Sequence, residues 1–153
     1  MIFAFVCVSA LTLASCSSDD DGPAVAAELT GKWNYARTIT LLNNQTSNSE
    51  YTSHTAGCNK DYQEFVAGGT FKDVVVYKNA SNVCTEDAIL GTYTRNGDFL
   101  NVTRPNPNTG TGNPATITEN FEIIRLDNNE LHYKSTSTTG GVQLVVTRVF
   151  TRN

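Results

Sequence analysis

The 153-residue sequence predicts an all-β domain, an eight-stranded antiparallel up-and-down barrel, on three observations. No window carries the 3.6-residue apolar period of an amphipathic helix, whereas two-residue alternation recurs from Leu29 to the C-terminus. Tight reversal signals punctuate that alternation at Gly68-Gly69, Asn96-Gly97, Asp127-Asn128-Asn129 and Gly140-Gly141. Each favours a short hairpin, because Gly and Asn tolerate the positive φ that such turns require. Strands joined this way leave two exposed edges, which closure into a barrel removes. A two-sheet β-sandwich is the alternative, since several strands carry apolar residues on both faces and alternation alone does not separate the two architectures.

Taken in order, the chain opens with an apolar run. Residues 1–13 contain no Asp, Glu, Lys or Arg, the composition of a signal-peptide core, and the run is too short to span a membrane. At Leu13-Ala14-Ser15-Cys16, small residues stand directly before a cysteine. This resembles the lipobox of bacterial lipoproteins, which implies a signal peptide over residues 1–15 and lipidation of Cys16 at the mature N-terminus. A secretory signal cleaved nearby or a buried N-terminal strand are the other readings. No Lys or Arg precedes the run, a departure that fits a start upstream of Met1. The segment Ser17-Ser18-Asp19-Asp20-Asp21-Gly22-Pro23 is polar and acidic, so residues 16–28 read as a lipidated tether to a domain over 29–153. The Cys-Ser-Ser-Asp-Asp-Asp start also resembles the short acidic signal of lipoproteins exported to the outer face of the outer membrane. The expected location is therefore the outer membrane, lipid-anchored and facing the cell surface.

The expected strands are 32–42, 61–67, 70–78, 89–95, 98–104, 117–126, 130–138 and 142–151. Between the first two lies a polar stretch, 43–53, read as a long loop. Between the fifth and sixth lies 105–114, with three prolines and two glycines, which excludes a regular element. On the third strand Phe71, Val75 and Tyr77 share a face interrupted by Asp73, and on the last Val142, Leu144, Val146 and Phe150 share one with Arg148. If the strands alternate in direction, 43–53, 79–87, 105–114 and the Gly140-Gly141 turn lie at one end, and the Asp127 turn at the other.

The net charge of -4 includes Asp19, Asp20 and Asp21, so the domain itself is nearly neutral and offers no basic stripe for nucleic acid. With Cys7 in the signal and Cys16 lipidated, Cys58 and Cys84 remain, and export would oxidise them to a disulfide. A metal pair is the alternative, but no histidine stands near them in ligand spacing.

At Leu29-Thr30-Gly31-Lys32-Trp33 the first strand begins with Gly-x-Trp. Further on come Cys58-Asn59-Lys60-Asp61-Tyr62-Gln63-Glu64-Phe65, Gly69-Thr70-Phe71, Cys84, Gly91-Thr92-Tyr93 and Gly97-Asp98-Phe99-Leu100. From Leu29 to Asn153 the chain resembles the lipocalin-like domains of bacterial lipoproteins, with Tyr93 where an aromatic, often Trp, is expected. The resemblance implies that Gly31 and Trp33 close one end of the barrel and that an arginine from near the last strand, Arg148 or Arg152, stacks on the indole.

The two histidines, His54 and His132, match no metal or nucleophile spacing, and no nucleophile elbow, phosphate loop or dinucleotide fingerprint occurs. No cofactor, no metal and no enzymatic activity are expected. What remains is a small hydrophobic ligand held inside the barrel, with Phe71, Tyr77, Tyr93, Phe121 and Tyr133 as candidate contacts, in a monomer tied to the membrane by its lipid. The alternative is a surface lipoprotein whose loops grip a protein or glycan while side chains fill the barrel.

Overall fold

A computed structural model describes residues 28–108 and 114–152. Cys16, the expected signal peptide and the tether as far as residue 27 lie outside the described residues, as do 109–113 of the proline-rich connection. The described chain forms nine strands: β1 (Gly31–Leu42), β2 (Gln45–Glu50), β3 (Tyr62–Val66), β4 (Thr70–Lys78), β5 (Cys84–Asn96), β6 (Phe99–Pro105), β7 (Thr116–Leu126), β8 (Glu130–Thr139) and β9 (Val142–Thr151). All pairings are antiparallel, and a β1–β9 pairing closes the sheet into a ring, so the fold is a barrel rather than a sandwich.

The strand count is nine where the sequence predicts eight, and the extra strand arises from the segment 43–53. Asn43 and Asn44, at φ 49° and 62°, make a tight reversal that returns the chain as β2 along β1, from Leu42↔Gln45 to Arg37↔Glu50. Every residue of β2 is exposed, so its sequence Gln-Thr-Ser-Asn-Ser-Glu shows no alternation to read. β3 pairs with the same edge of β1 lower down, from Asn34↔Tyr62 to Gly31↔Phe65. Thus β2 and β3 lie end to end and share one position in the wall. Eight wall positions survive, with the second one interrupted by an excursion over residues 51–61.

That excursion stands where the wall would otherwise be open, because β4 pairs with β3 only as far as Tyr62↔Val74. Asp61, fully buried, accepts the Val76 N–H at 2.7 Å and the Tyr51 hydroxyl at 2.8 Å. Its own N–H donates to His54 Nδ1 at 3.0 Å, and His54 Nε2 lies 3.0 Å from the Tyr35 carbonyl oxygen. One carboxyl thus supplies the ladder bond that a missing strand would have made to β4.

The Cys58–Cys84 disulfide, with Cα atoms 5.7 Å apart, clamps the excursion to the start of β5. Beneath it Tyr62, Val74 and Val76 form a small buried cluster, joined by Cys58, on the outside of the barrel. This explains the two-sided apolarity of β4. Its inward positions Phe71, Asp73 and Val75 line the interior, while its outward Val74 and Val76 are covered by the loop.

Candidate binding cavity

The closed end is built from the N-terminal entry. Trp33 is fully buried, its Nε1–H donating to the Leu29 carbonyl at 2.7 Å. The Arg152 guanidinium lies 4.1 Å from the centre of the indole and donates at 2.8 Å to the carbonyls of Glu28 and Thr30. Gly31, at φ 121°, permits the bend beneath that guanidinium, where an added Cβ would stand 3.6 Å from it. Arg152 occupies the stacking place; Arg148 does not. The register puts Thr38 opposite Arg148 and Asn34 opposite Thr151, so Arg148 sits two pleat repeats, about 13 Å, further up, inside the barrel. Above Trp33 the packed floor continues through Phe65, Leu100, Ile123, Leu131 and Phe150.

Over this floor the interior opens into a cavity of about 400 Å³, within the size range of small-molecule sites. Its lower wall is apolar, with Phe71, Val102, Phe121 and Tyr133. Val75 and Ile89, 50% and 44% exposed, line it as well and bring it to solvent. Of the candidate contacts named from sequence, Phe71, Phe121 and Tyr133 line this cavity. Tyr93 instead packs edge-on against Phe65 at 5.1 Å, within the floor. Tyr77 lies on the exposed upper part of β4, outside the cavity lining.

The sequence reading missed a polar band across the cavity. The Tyr133 hydroxyl donates to Gln63 Oε1 at 2.7 Å, Gln63 Nε2 donates to the Tyr35 hydroxyl at 2.8 Å, and Tyr35 donates to Asp73 Oδ1 at 2.6 Å. Arg148 stands beside Tyr133 at the other end of this chain, and its charge interacts with the phenol. Beside it Arg104 Nε pairs with Glu119 at 2.7 Å. Parity offered a signal for part of this set, since Asp73 and Arg148 interrupt otherwise apolar faces. Gln63 carries no such signal.

The titrations follow the geometry. Burial, then Asp73, holds the Tyr35 hydroxyl protonated far above the ordinary tyrosine range. Burial pushes Tyr133 up to about 12, against the pull of Arg148. Burial and the bond to Asp61 bring Tyr51, which stacks on Tyr35 at 4.8 Å, to about 12 as well. Burial works against the charge of Arg148, but its contacts with Tyr133 and the fields of Glu119 and Tyr35 outweigh that and raise its pKa.

An outer groove of about 760 Å³ runs beside the disulfide loop, with Lys32, Lys60, Glu86 and Arg152 among its walls. Its charges are largely engaged. Lys32 donates to the Tyr62 hydroxyl at 3.1 Å, which donates to Glu86 at 3.0 Å, and Arg152 holds the floor. Among the described residues no group of three or more His, Cys, Asp or Glu gathers to hold a metal.

Fold and site together define a closed antiparallel β-barrel with a sealed floor and an amphipathic interior cavity. No family model and no curated protein matches the sequence. Among solved structures the chain is similar to a lipocalin-like protein from Bacteroides uniformis, with 16% identity, a TM-score of 0.48, and coverage of 82% of this chain and 98% of that one.

Proposed function

We propose that this domain is a binding module without a catalytic step of its own, which holds a small, partly hydrophobic molecule in the barrel cavity. On the same reading it works as a monomer tied to the outer membrane by a lipid on Cys16. The observation that carries the reading is the cavity itself, with Phe71, Val75, Ile89 and Val102 among its walls, above a floor packed by other side chains. A barrel serving only as a scaffold for its loops has no need of that space. Val75 provides the test, because it lines the cavity yet is half exposed, so enlarging it need not disturb the core. A neutral apolar fluorophore should bind the wild-type domain saturably, and Val75→Trp should weaken binding about tenfold or more while leaving the melting temperature nearly unchanged. Absence of saturable binding to wild type would return the protein to the surface-partner reading. The anchor is tested separately. Cys16→Ser should move the expressed chain from the membrane fraction to the soluble one, and unchanged partitioning would refute it.

A further inference from the structure

The charges inside the cavity are unevenly matched. Glu119 is bonded to Arg104 at 2.7 Å, and one oxygen of Asp73 is occupied by the Tyr35 hydroxyl at 2.6 Å. Asp87 lies in the exposed part of the lining, where water solvates it. Arg148 differs. It projects from β9 into the cavity, and among the described residues no carboxyl lies within 4.0 Å of it. Beside it lie the Tyr133 side chain and the ring of Phe121, 5.6 Å from the guanidinium carbon, and it also feels the fields of Glu119 and Tyr35. A guanidinium carries five donors in a rigid fork, and these two neighbours leave most of the fork without an acceptor from the protein.

The protein also fixes that fork in place. Tyr133 is fully packed and its hydroxyl is committed to Gln63, which is held in turn by Tyr35 and Asp73. Arg148 therefore faces the cavity beside a tyrosine of β8 that a hydrogen-bonded chain through β3, β1 and β4 holds in place. Facing the same space are Phe71, Val75, Ile89 and Val102, which present hydrocarbon and no hydrogen-bonding side-chain atoms. One positioned cation beside an apolar wall matches a molecule with one anionic end and one apolar end.

We infer that the ligand is an amphipathic carboxylic acid whose carboxylate lies against Arg148 and whose hydrocarbon part covers Phe71, Val75, Ile89 and Val102. This rests on the binding-module reading and specifies its ligand class. A single negative charge fits better than a phosphate dianion, because Glu119 and Asp73 also line the cavity and would repel the second charge. The planar carboxylate matches two donors of the fork at once, which a neutral ester or alcohol does not.

The test uses pyrenebutyrate and its methyl ester, followed by fluorescence titration of the intact domain at neutral pH. The acid should bind wild type about tenfold or more tightly than the ester, in keeping with a charge-assisted hydrogen bond shielded from water. In Arg148→Gln that preference should vanish while ester binding persists, and Arg148→Lys should retain part of it. Equal affinity of wild type for acid and ester, which requires no variant to fold, would overturn the inference and leave the binding module standing. A preference that survives in Arg148→Gln would overturn it too. Saturable binding of neither compound would overturn the module reading, and this inference with it.

Discussion

At the scale of single residues, the closed end shows how far one side chain can organise its surroundings. Trp33 is buried against Arg152, and both are tied to backbone carbonyls of the entering chain. Trp33→Ala should cost about 3–5 kcal/mol in denaturant unfolding, through lost burial and the void left behind. Arg152→Ala should cost less, about 1–3 kcal/mol, since it removes a cation–π contact and bonds at a partly exposed site. Alkaline titration gives a second test. Folded Tyr51 and Tyr133 hold their protons up to about 12 against an ordinary value of 10.0. The raised folded value means that their contribution to stability is fully present below pH 10 and is lost as pH rises towards 12. Absorbance titration should therefore show part of the tyrosine signal delayed until unfolding, and a single transition near 10 would contradict it. The pairing of tryptophan with an arginine near the last strand was implied by the resemblance that the Gly-x-Trp entry carries, but the choice of arginine was not. Arg148 and Arg152 have the same parity on the strand, and only the register Asn34↔Thr151 decides which of them reaches the indole.

Among the elements, the most legible were those with one face in the core. The turns at Gly68-Gly69, Asn96-Gly97 and Gly140-Gly141 stand where they were expected, and β4 and β9 keep the boundaries 70–78 and 142–151. β5, by contrast, begins at Cys84, five residues before the expected 89 and inside the expected 79–87 connection, where the mostly exposed Cys84–Ala88 pair with β4. The least legible were elements answering to no core. β2 is exposed on both faces, and the role of the excursion over 51–61 depends on long-range bonds from Asp61 to Val76 and from His54 to the Tyr35 backbone. Neither leaves a periodic trace. The disulfide that pins the excursion closes a separation of 26 residues, and replacing Cys58 and Cys84 together by Ser should cost about 3.5 kcal/mol by the loop-entropy argument. The loss should be read by chemical denaturation, and a change below about 1 kcal/mol would mean that the excursion is held by its hydrogen bonds alone. By contrast Asn44→Val, at φ 62°, should loosen the β1–β2 hairpin without unfolding the barrel, because β2 contributes nothing to the core. Hydrogen exchange confined to Gln45–Glu50 would show this, whereas global loss of protection would refute it.

For the whole molecule, the arrangement is a wall of eight positions around a packed floor and an open upper half. The resemblance carried by the Gly-x-Trp entry implied a sealed end, and Phe71, Phe121 and Tyr133, named as candidate contacts, do line the cavity. The sequence did not reveal the polar chain from Arg148 through Tyr133, Gln63 and Tyr35 to Asp73, since five strands contribute to it and its members meet only after closure. That chain makes the cavity amphipathic rather than simply greasy, which narrows what it can hold. The central claim is that the interior of the barrel is the binding site, and adjacent valines on β4 test it most directly. Val75 faces the cavity, while Val74 and Val76 lie in the outer cluster under the disulfide loop. Methyl resonances of the labelled domain should be followed during titration with pyrenebutyrate. The account predicts saturable shifts at Val75, Val102 and Ile89 with Val74 and Val76 nearly still; shifts confined to the outer pair, or no saturable shift at any of them, would contradict it.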